Sequence, residues 1–239
     1  MNERRAIILE AVLKEFIRSG RPVSSGQLFE EYDFDIKPAA IRLELSELAD
    51  EGYLSKLYHS AGRVPTDRGY EFFVERILSH ELDFIREPRL LSKLAEEFFS
   101  GDRLEFLDQI AESLHVLSIG YDLEGENVYK KGLDELLRYE DWEAIEDVVR
   151  VVRDIENIDE HLEAVLHDIY NEGSDKPRVF VGSNPILKND SLSVILDSFD
   201  DFLILLVGPK RMNYRTNLGF LSKIKQHINT INHERRNTN

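Results

Sequence analysis

The chain has 239 residues, of which 42% are hydrophobic and 32% are charged, a composition typical of a globular protein. The formal net charge of −16 argues against broad, non-specific coating of nucleic acid, and the absence of cysteine excludes disulfides, thiolate zinc sites and cysteine nucleophiles. The longest apolar run, Phe202–Val207, is too short to span a membrane, and the N-terminus lacks the cleavage site of a secretory signal. We therefore expect a cytoplasmic protein without a membrane partner.

The negative charge is unevenly distributed along the chain. Residues 1–90 contain 13 Lys and Arg against 17 Asp and Glu, whereas the remaining residues contain 17 against 29. Because salt screens charges beyond about 8 Å, the acidic total is compatible with a small basic surface in the first part of the chain.

The N-terminal part predicts three helices. Apolar residues recur at helical spacing over 4–19, and Gly20 ends this helix. A short second helix follows Ser24, which has a capping-box partner three positions later. The third helix has Pro38 in its first turn and Gly52 just past its end. Its core stripe consists of Ile41, Leu45 and Leu48.

A β-hairpin and a fourth helix are predicted next. The hairpin strands are Tyr53–Tyr58 and Arg63–Pro65, and Gly62 in the turn is free to adopt a positive φ. Thr66 is the expected N-cap of the fourth helix, whose apolar face contains Tyr70, Phe73, Val74 and Ile77. Three helices, a hairpin and a further helix are typical of a winged helix-turn-helix domain. The alternative is a small helical bundle with an incidental turn.

The rest of the chain is predicted to form an α+β domain. We place a winged helix-turn-helix domain at 1–80, a linker helix at 81–102, the α+β domain at 103–230 and a polar, frayed tail at 231–239. Within the α+β domain we expect helices near 103–117, 141–154, 156–171 and 215–228, and three short strands at 178–182, 192–199 and 202–208.

Several stretches resemble one known family. The sequences ILEAVLKEFIRSGRPVSS, PAAIRLELSELADEGYL and HSAGRVPTDRGYEFFV resemble the N-terminal domain of the HrcA family of heat-inducible transcription repressors, and the run Ser60–Tyr70 is the most specific of these features. Further on, NVYKKGLDELLRYEDW and VGPKRMNY are similar to segments of that family's GAF-like domain. The chain is identified as a shortened member, because most of the family's central GAF-like and dimerisation region is missing.

The resemblance implies both a fold and a function. The fold would be a winged helix-turn-helix domain followed by a reduced GAF-like α+β domain, with no enzymatic activity and no cofactor or metal. The function would be sequence-specific repression of chaperone genes. It would act as a homodimer bound to double-stranded DNA at an inverted-repeat operator called CIRCE, and its activity would be linked to temperature and to the GroEL chaperonin.

Candidate DNA-binding residues lie on the third helix and the hairpin. The third helix presents Ala39, Leu43 and Ser46 opposite its core stripe, with Arg42 to one side. At the hairpin, basic side chains suit phosphates or a narrow minor groove; Lys56, Arg63 and Arg68 are opposed only by Asp67. The alternative is that Arg63 and Arg68 belong to a solvated hairpin without DNA contacts. The candidate set is Ser24, Ser25, Lys37, Ala39, Arg42, Leu43, Ser46, His59, Ser60 and Arg63.

Two of these residues depart from the family pattern. Family members typically have Asn, which pairs with adenine, at the position of Leu43, and Ser at the position of Lys37. Leu43 can only pack on a thymine methyl group, whereas Lys37 adds a charge that attracts phosphate. We therefore expect a different operator preference rather than a loss of DNA binding.

Features that suggest other functions are weak. His161 and His167 are about 240° apart around a helix, so they do not converge on one metal ion. The segment Val181–Pro185 suits either a small-molecule pocket or a simple turn. An alternative function is a protein-interaction module with vestigial DNA binding, which modulates a full-length repressor or binds a chaperonin. Leu43 and the acidic second part favour this alternative.

Overall fold

A computed structural model describes residues 1–56, 62–80, 88–139, 142, 144–162 and 176–237. The chain divides into two compact units. The first unit comprises Met1–His80 with Arg211–Asn213, and the second comprises Glu81–Lys210 with Tyr214–Asn239. Among the described residues, no helix is long and apolar enough to cross a membrane.

In its described residues the first unit contains four helices and one hairpin, in the order that the sequence predicts. Three helices precede the hairpin, and the fourth follows it. The elements are α1 (Glu3–Ser19), α2 (Ser25–Glu31), α3 (Pro38–Asp50), β1 (Leu54–Lys56), β2 (Arg63–Pro65) and α4 (Asp67–Leu78).

Short polar residues and glycine set the helix boundaries in the first unit. Gly20 adopts a left-handed conformation with φ of 65° and ends α1. The Ser24 side chain accepts a hydrogen bond from the Gln27 amide at 3.1 Å, and the Thr66 side chain accepts one from the Gly69 amide at 3.2 Å. The predicted caps of α2 and α4 are therefore confirmed.

Apolar side chains from all four helices form the core of the first unit. The predicted stripe on α3 is confirmed, since Ile41, Leu45 and Leu48 are buried, and the predicted apolar face of α4 is buried as well. Helices α1 and α2 contribute further buried residues to this core, namely Ile8, Leu9, Val12, Leu13 and Leu28. This packing fixes which side of α3 faces solvent.

The hairpin is antiparallel and pairs with a third segment. Leu54 lies opposite Pro65 in β2, and Val23 forms an isolated antiparallel bridge with Arg63. Gly62 is free to adopt a positive φ, but it is not among the glycines with left-handed backbone in the described structure. Glycine is instead required for space, since a Cβ here would lie 2.8 Å from the Pro22 carbonyl carbon and still closer to the Val23 carbonyl.

The second unit is an α+β domain around a five-stranded antiparallel sheet. The strand order is β4-β3-β7-β6-β5, with β3 (Leu117–Asp122), β4 (Asn127–Lys131), β5 (Arg178–Val181), β6 (Leu192–Phe199) and β7 (Phe202–Pro209). The helices are α5 (Pro88–Ser100), α6 (Arg103–Leu114), α7 (Leu133–Leu137), α8 (Ile145–Glu156) and α9 (Tyr214–Asn237). The α+β class predicted for this part is confirmed.

Helices cover both faces of this sheet. Alternate residues of β3, β6 and β7 form a buried cluster with side chains of α7, α8 and residues 158–162. On the opposite face, the Phe98 ring of α5 lies 6.4 Å from the rings of Phe199 and Phe202, and α6 packs on β3 and β4. The central strands are therefore buried on both sides.

Two strands of the second unit, β3 and β4, are not among the strands predicted from the sequence. The helix expected over 103–117 ends at Leu114, where His115 adopts a left-handed conformation with φ of 53°, and β3 begins two residues later. Because β3 is buried on both faces and includes Gly120, it lacks the alternation that identifies a strand. The strand β4, NVYKK, has an exposed or half-buried residue at each position.

The linker and tail assignments also need correction. The described part of the linker segment is α5, and it packs on α6 and α9 as part of the second unit's core. The expected frayed tail is helical up to Asn237. Its contacts include a hydrogen bond from the Asn232 amide to the Asp200 carboxylate at 2.6 Å, and the Arg235 guanidinium lies 4.1 Å from the centre of the Phe99 ring.

Candidate nucleic-acid interface

One face of α3 is open to solvent. The helix begins with Pro38, and its N-cap residue, Lys37, makes no side-chain capping bond. Beyond this start, Ala39, Arg42 and Leu43 are exposed, whereas Ser46 is half-buried. Leu43 is 62% exposed, a high value for a large apolar side chain. The structure therefore brings the α3 candidates together on one surface.

Most arginines of α1 and α4 are occupied by carboxylates. Arg5 contacts Glu44, Glu47 and Glu51, and Arg4 also contacts Glu44. Two more arginines are held in the same way; Arg18 pairs with Glu15 and Glu31, and Arg76 pairs with Glu3 and Glu10. Because these guanidinium groups are already paired with carboxylates, the four arginines contribute little to an anion-binding surface.

A second group of cations has no such partners. The side chains of Arg21, Lys37, Arg42 and Lys56 form no hydrogen bond or ion pair in the described part of the first unit. They lie in the loop before α2, at the N-terminus of α3, on its exposed face and at the end of β1. Free cations in the first unit are thus concentrated around α3 and the hairpin, which is the pattern expected of a phosphate-binding surface.

Arg21 and Lys56 are absent from the candidate set derived from the sequence. Lys56 contributes to the sequence pattern only through the charge of the hairpin, and Arg21 lies outside the predicted helices and hairpin. The available signal for Arg21 was its position next to Pro22, at the start of the segment that leads into α2. Its proximity to the hairpin depends on the bridge between Val23 and Arg63, which has no local sequence signature.

Arg63 is held mainly through its backbone. Its amide and carbonyl pair with Val23, while its side-chain Nε is buried without a hydrogen-bond partner in the described structure. Burial lowers the pKa of the Arg63 guanidinium, and the nearby Asp50 carboxylate acts in the opposite direction. The Arg63 side chain is therefore only partly exposed to solvent. The other hairpin candidates, His59 and Ser60, lie outside the described residues.

Arg68 does not belong to the free hairpin charge. Its guanidinium donates to the Glu51 carbonyl at 2.6 Å and lies 4.4 Å from the centre of the Tyr53 ring. This geometry joins the start of α4 to the end of α3 through a cation–π contact and a charged hydrogen bond. The positive charge predicted for the hairpin included Arg68 as a cation available to DNA. This is wrong, because the Arg68 guanidinium is engaged in the contacts between α3 and α4.

The two serine candidates have different roles. Ser24 is exposed, but its hydroxyl accepts the capping hydrogen bond of α2. Ser25 is buried at the start of the same helix, with 9% of its surface exposed. Burial removes Ser25 from any surface that DNA could reach, so its inclusion among the candidates is corrected.

The second unit contains an open cavity of about 610 Å³ on another surface. Its lining includes Trp142, Arg153, Asp154, His161 and Lys188. The segment Val181–Pro185 does not line it; Asn184 instead accepts hydrogen bonds from two following amides, as in a tight turn. His161 lies 3.1 Å from the Ile186 carbonyl, and His167 lies outside the described residues. The described residues contain no cluster of three potential metal ligands.

A family model matches the central part of the chain, including most of the second unit. The model is described as the HrcA protein C terminal domain, and it matches residues 70–217, more than half of the chain. The match starts within α4 and ends within α9, so it includes the whole five-stranded sheet.

Curated relatives match over shorter stretches. The heat-inducible transcription repressor HrcA of Natranaerobius thermophilus is 40% identical over 96 residues, which are 40% of this chain and 28% of that protein. The corresponding protein of Alkaliphilus metalliredigens is 39% identical over 105 residues, 44% of this chain and 31% of that protein. In Roseiflexus sp. strain RS-1 the identity is 46% over 78 residues, 33% of this chain and 22% of that protein. Each match spans less than a third of the relative's length.

The fold also resembles that of a solved structure. A 2.2 Å crystal structure of a hypothetical protein superposes with a TM-score of 0.74, covering 96% of this chain and 98% of the other. Sequence identity is 15%, so the likeness concerns the fold alone.

Proposed function

Because the chain belongs to the HrcA family, we propose that it is a transcriptional repressor of chaperone genes and that its first unit is a winged helix-turn-helix domain. The observation that supports this proposal most directly is the exposed face of α3, with Arg42 and Leu43 outward and the free cations of the first unit around it. The matching relatives are described as heat-inducible transcription repressors.

In this proposal α3 enters the major groove. Arg42 and Ser46 are positioned for hydrogen bonds to base edges, and Leu43 for contact with a thymine methyl group. Lys37, Arg21 and Lys56 would bind phosphates on either side of the groove. The hairpin would lie over the adjacent backbone, with its position fixed by the Val23–Arg63 bridge.

The operator is proposed to be an inverted repeat of the CIRCE type, bound by a homodimer. A two-fold symmetric protein matches a palindrome because each copy reads one half-site. The second unit would act as the reduced GAF-like regulatory part, and the protein would act in the cytoplasm.

A binding assay tests this function. Fluorescence anisotropy at physiological salt compares a CIRCE duplex with a scrambled duplex of equal length and composition. We expect tighter binding to the CIRCE duplex by about a thousandfold or more. Equal affinity for the two duplexes would rule out the operator, and no binding to either would rule out the repressor.

We further propose that activity depends on temperature and on GroEL. The second part of the chain is strongly acidic, and self-repulsion lowers the stability of a compact state. Operator binding would then fall steeply over the heat-shock range, because a dimer loses affinity for DNA as its folded fraction decreases. Added GroEL and ATP should restore binding after heating. Full affinity after heating, with no response to GroEL, would remove this regulation and leave the repressor itself unaffected.

A second candidate function is a protein-interaction module with residual DNA binding. The exposure of Leu43 on α3 favours it, since an apolar residue at the centre of the surface suits a protein partner as well as a thymine. Co-purification with a full-length HrcA repressor, together with equal affinity for operator and scrambled DNA, would favour this alternative.

A further inference from the structure

Helix α8 has an apolar surface that its own unit leaves uncovered. Its inner side is buried through Val151, Asp154 and Ile155. On its outer side Ile145 is 69% exposed and Val149 is 44% exposed, and they are one helical turn apart. Within the described part of the chain, no other helix exposes two large hydrophobic residues at this spacing. Neighbouring exposed apolar side chains that form a contiguous patch are a feature of interaction surfaces.

The exposed apolar residues form a straight stripe. At 100° per residue, Ile145, Val149 and the half-buried Val152 lie within about 60° of one another. This is the width of the seam through which two helices pack side by side. The stripe therefore has the shape that another helix requires.

One flank of the stripe has a self-complementary charge pattern. Glu146 and Arg153 lie within about 20° of each other around the helix and about two turns apart. Both side chains are exposed, and neither forms a hydrogen bond or ion pair in the described structure. In contrast, the neighbouring Arg150 is already paired with Asp147.

This pattern discriminates between possible arrangements of two copies. In an antiparallel pair of α8 helices related by a two-fold axis, residues on the same flank meet end to end. Glu146 of one copy would then face Arg153 of the other, and the same pair would form a second time by symmetry. A parallel pair would instead place this flank against the opposite flank of its partner, so that Glu146 and Arg153 would not meet. Local complementarity of this kind matters in a chain with a formal charge of −16, because its overall field opposes self-association.

We propose that α8 is a homodimerisation surface, on which a second copy of this chain packs its own α8 in antiparallel orientation. The inference deepens the proposed function, since it gives the interface of the dimer that would read a palindrome. A single pair of 12-residue helices is small compared with stable interfaces, so we expect a concentration-dependent dimer.

Sedimentation velocity without DNA tests the surface over a wide range of protein concentration. The wild-type chain should shift from monomer to dimer as concentration rises. Ile145→Asp and Val149→Asp should each raise the dimer dissociation constant at least about tenfold, because a charge enters the seam. Leu104→Asp is the matched control, since Leu104 is an apolar residue of α6 with 48% exposure, and it should leave the dissociation constant unchanged.

A charge swap tests the antiparallel arrangement. Glu146→Arg and Arg153→Glu should each weaken the dimer, and the double variant should return to within about threefold of wild type. A monomeric wild type, a dimer insensitive to Ile145→Asp, or a double variant no better than the single ones would each overturn the proposal. Because DNA is absent, failure of operator binding would leave this result unaffected. All substituted side chains are exposed, and circular dichroism checks that each variant is folded.

Discussion

The main chains of Val23 and Arg63 are joined by two hydrogen bonds. The Val23 amide donates to the Arg63 carbonyl at 2.8 Å, and the Arg63 amide donates to the Val23 carbonyl at 2.7 Å. The pair ties the loop before α2 to β2 and brings the chain at Pro22 against Gly62, where a side chain has no space. The position of the hairpin beside α3 therefore depends on a glycine at a close backbone approach.

The first prediction concerns Gly62. We expect Gly62→Ala to lower the free energy of unfolding by about 1–3 kcal/mol, because the added Cβ would push the hairpin away from the loop. Gly26→Ala is the control, since the nearest atom to its Cβ would be 3.8 Å away and alanine favours the helix by up to about 1 kcal/mol. Denaturant unfolding measures both. Equal stability of Gly62→Ala and wild type would contradict the close approach.

Two leucines on different sides of α3 provide the second prediction. Leu45→Ala should cost about 2–5 kcal/mol of stability because Leu45 is 3% exposed, whereas Leu43→Ala should change stability by less than about 0.5 kcal/mol. In operator binding we expect Leu43→Ala to weaken affinity although the fold is intact. Thermal unfolding and anisotropy give the two quantities. Unchanged affinity would remove Leu43 from the interface.

The third prediction uses salt dependence. Each phosphate contact releases counterions, so Lys37→Gln should weaken binding to all duplexes similarly and reduce the slope of log affinity against log salt by about one unit. Lys14→Gln is the matched control, because Lys14 is an exposed cation on α1 that is 3.8 Å from Glu10. Binding is measured at several salt concentrations. The same slope for Lys37→Gln and wild type would mean that Lys37 does not contact phosphate.

Arg42 and Arg63 should differ in the kind of affinity they contribute. Arg42→Ala is expected to reduce discrimination between operator and scrambled duplex by about 1–3 kcal/mol, because Arg42 is free on the face of α3. Arg63→Ala should lower affinity for both duplexes to the same extent, as expected for a residue at the DNA backbone. The comparison requires both affinities for each variant. A loss of discrimination with Arg63→Ala but not with Arg42→Ala would reverse the assignment.

The fifth prediction concerns a buried ion pair in the second unit. Asp197 is 4% exposed, and its carboxylate accepts a hydrogen bond from the Lys225 ammonium at 2.7 Å. Burial raises the pKa of Asp197, partly offset by Lys225. Lys225→Met should therefore cost about 3–5 kcal/mol at neutral pH, whereas Asp197→Leu combined with Lys225→Met should be close to wild type.

The raised pKa also fixes the direction of the pH effect. A carboxyl group that binds its proton more tightly when folded favours the folded state at pH values below its unfolded pKa, and this contribution is lost as pH rises through the folded pKa. The stability of Lys225→Met relative to the double variant should thus increase on acidification from neutral pH to about pH 5. Denaturant unfolding at the two pH values measures this difference. A constant difference would mean that Asp197 does not titrate in this range.

Local chemistry in the sequence determined most of the first unit. Gly20, Ser24 and Thr66 define helix ends because their conformational freedom or side-chain oxygens act within three or four residues. The spacing of Ile41, Leu45 and Leu48 likewise predicted which side of α3 is exposed, since helical periodicity is a local property. The same periodicity led to the exposed candidates Ala39, Arg42 and Leu43.

Only the tertiary structure decided which charges are free and which strands join the sheet. Arg68 and Arg42 are both exposed arginines in the sequence pattern, but only long-range packing brings Tyr53 and the Glu51 carbonyl to Arg68. Similarly, β3 forms because β7 and β4 supply hydrogen bonds on both of its edges, and burial on both faces leaves no alternating pattern to recognise. Such contacts join residues far apart in the chain, so no local pattern of residues specifies them.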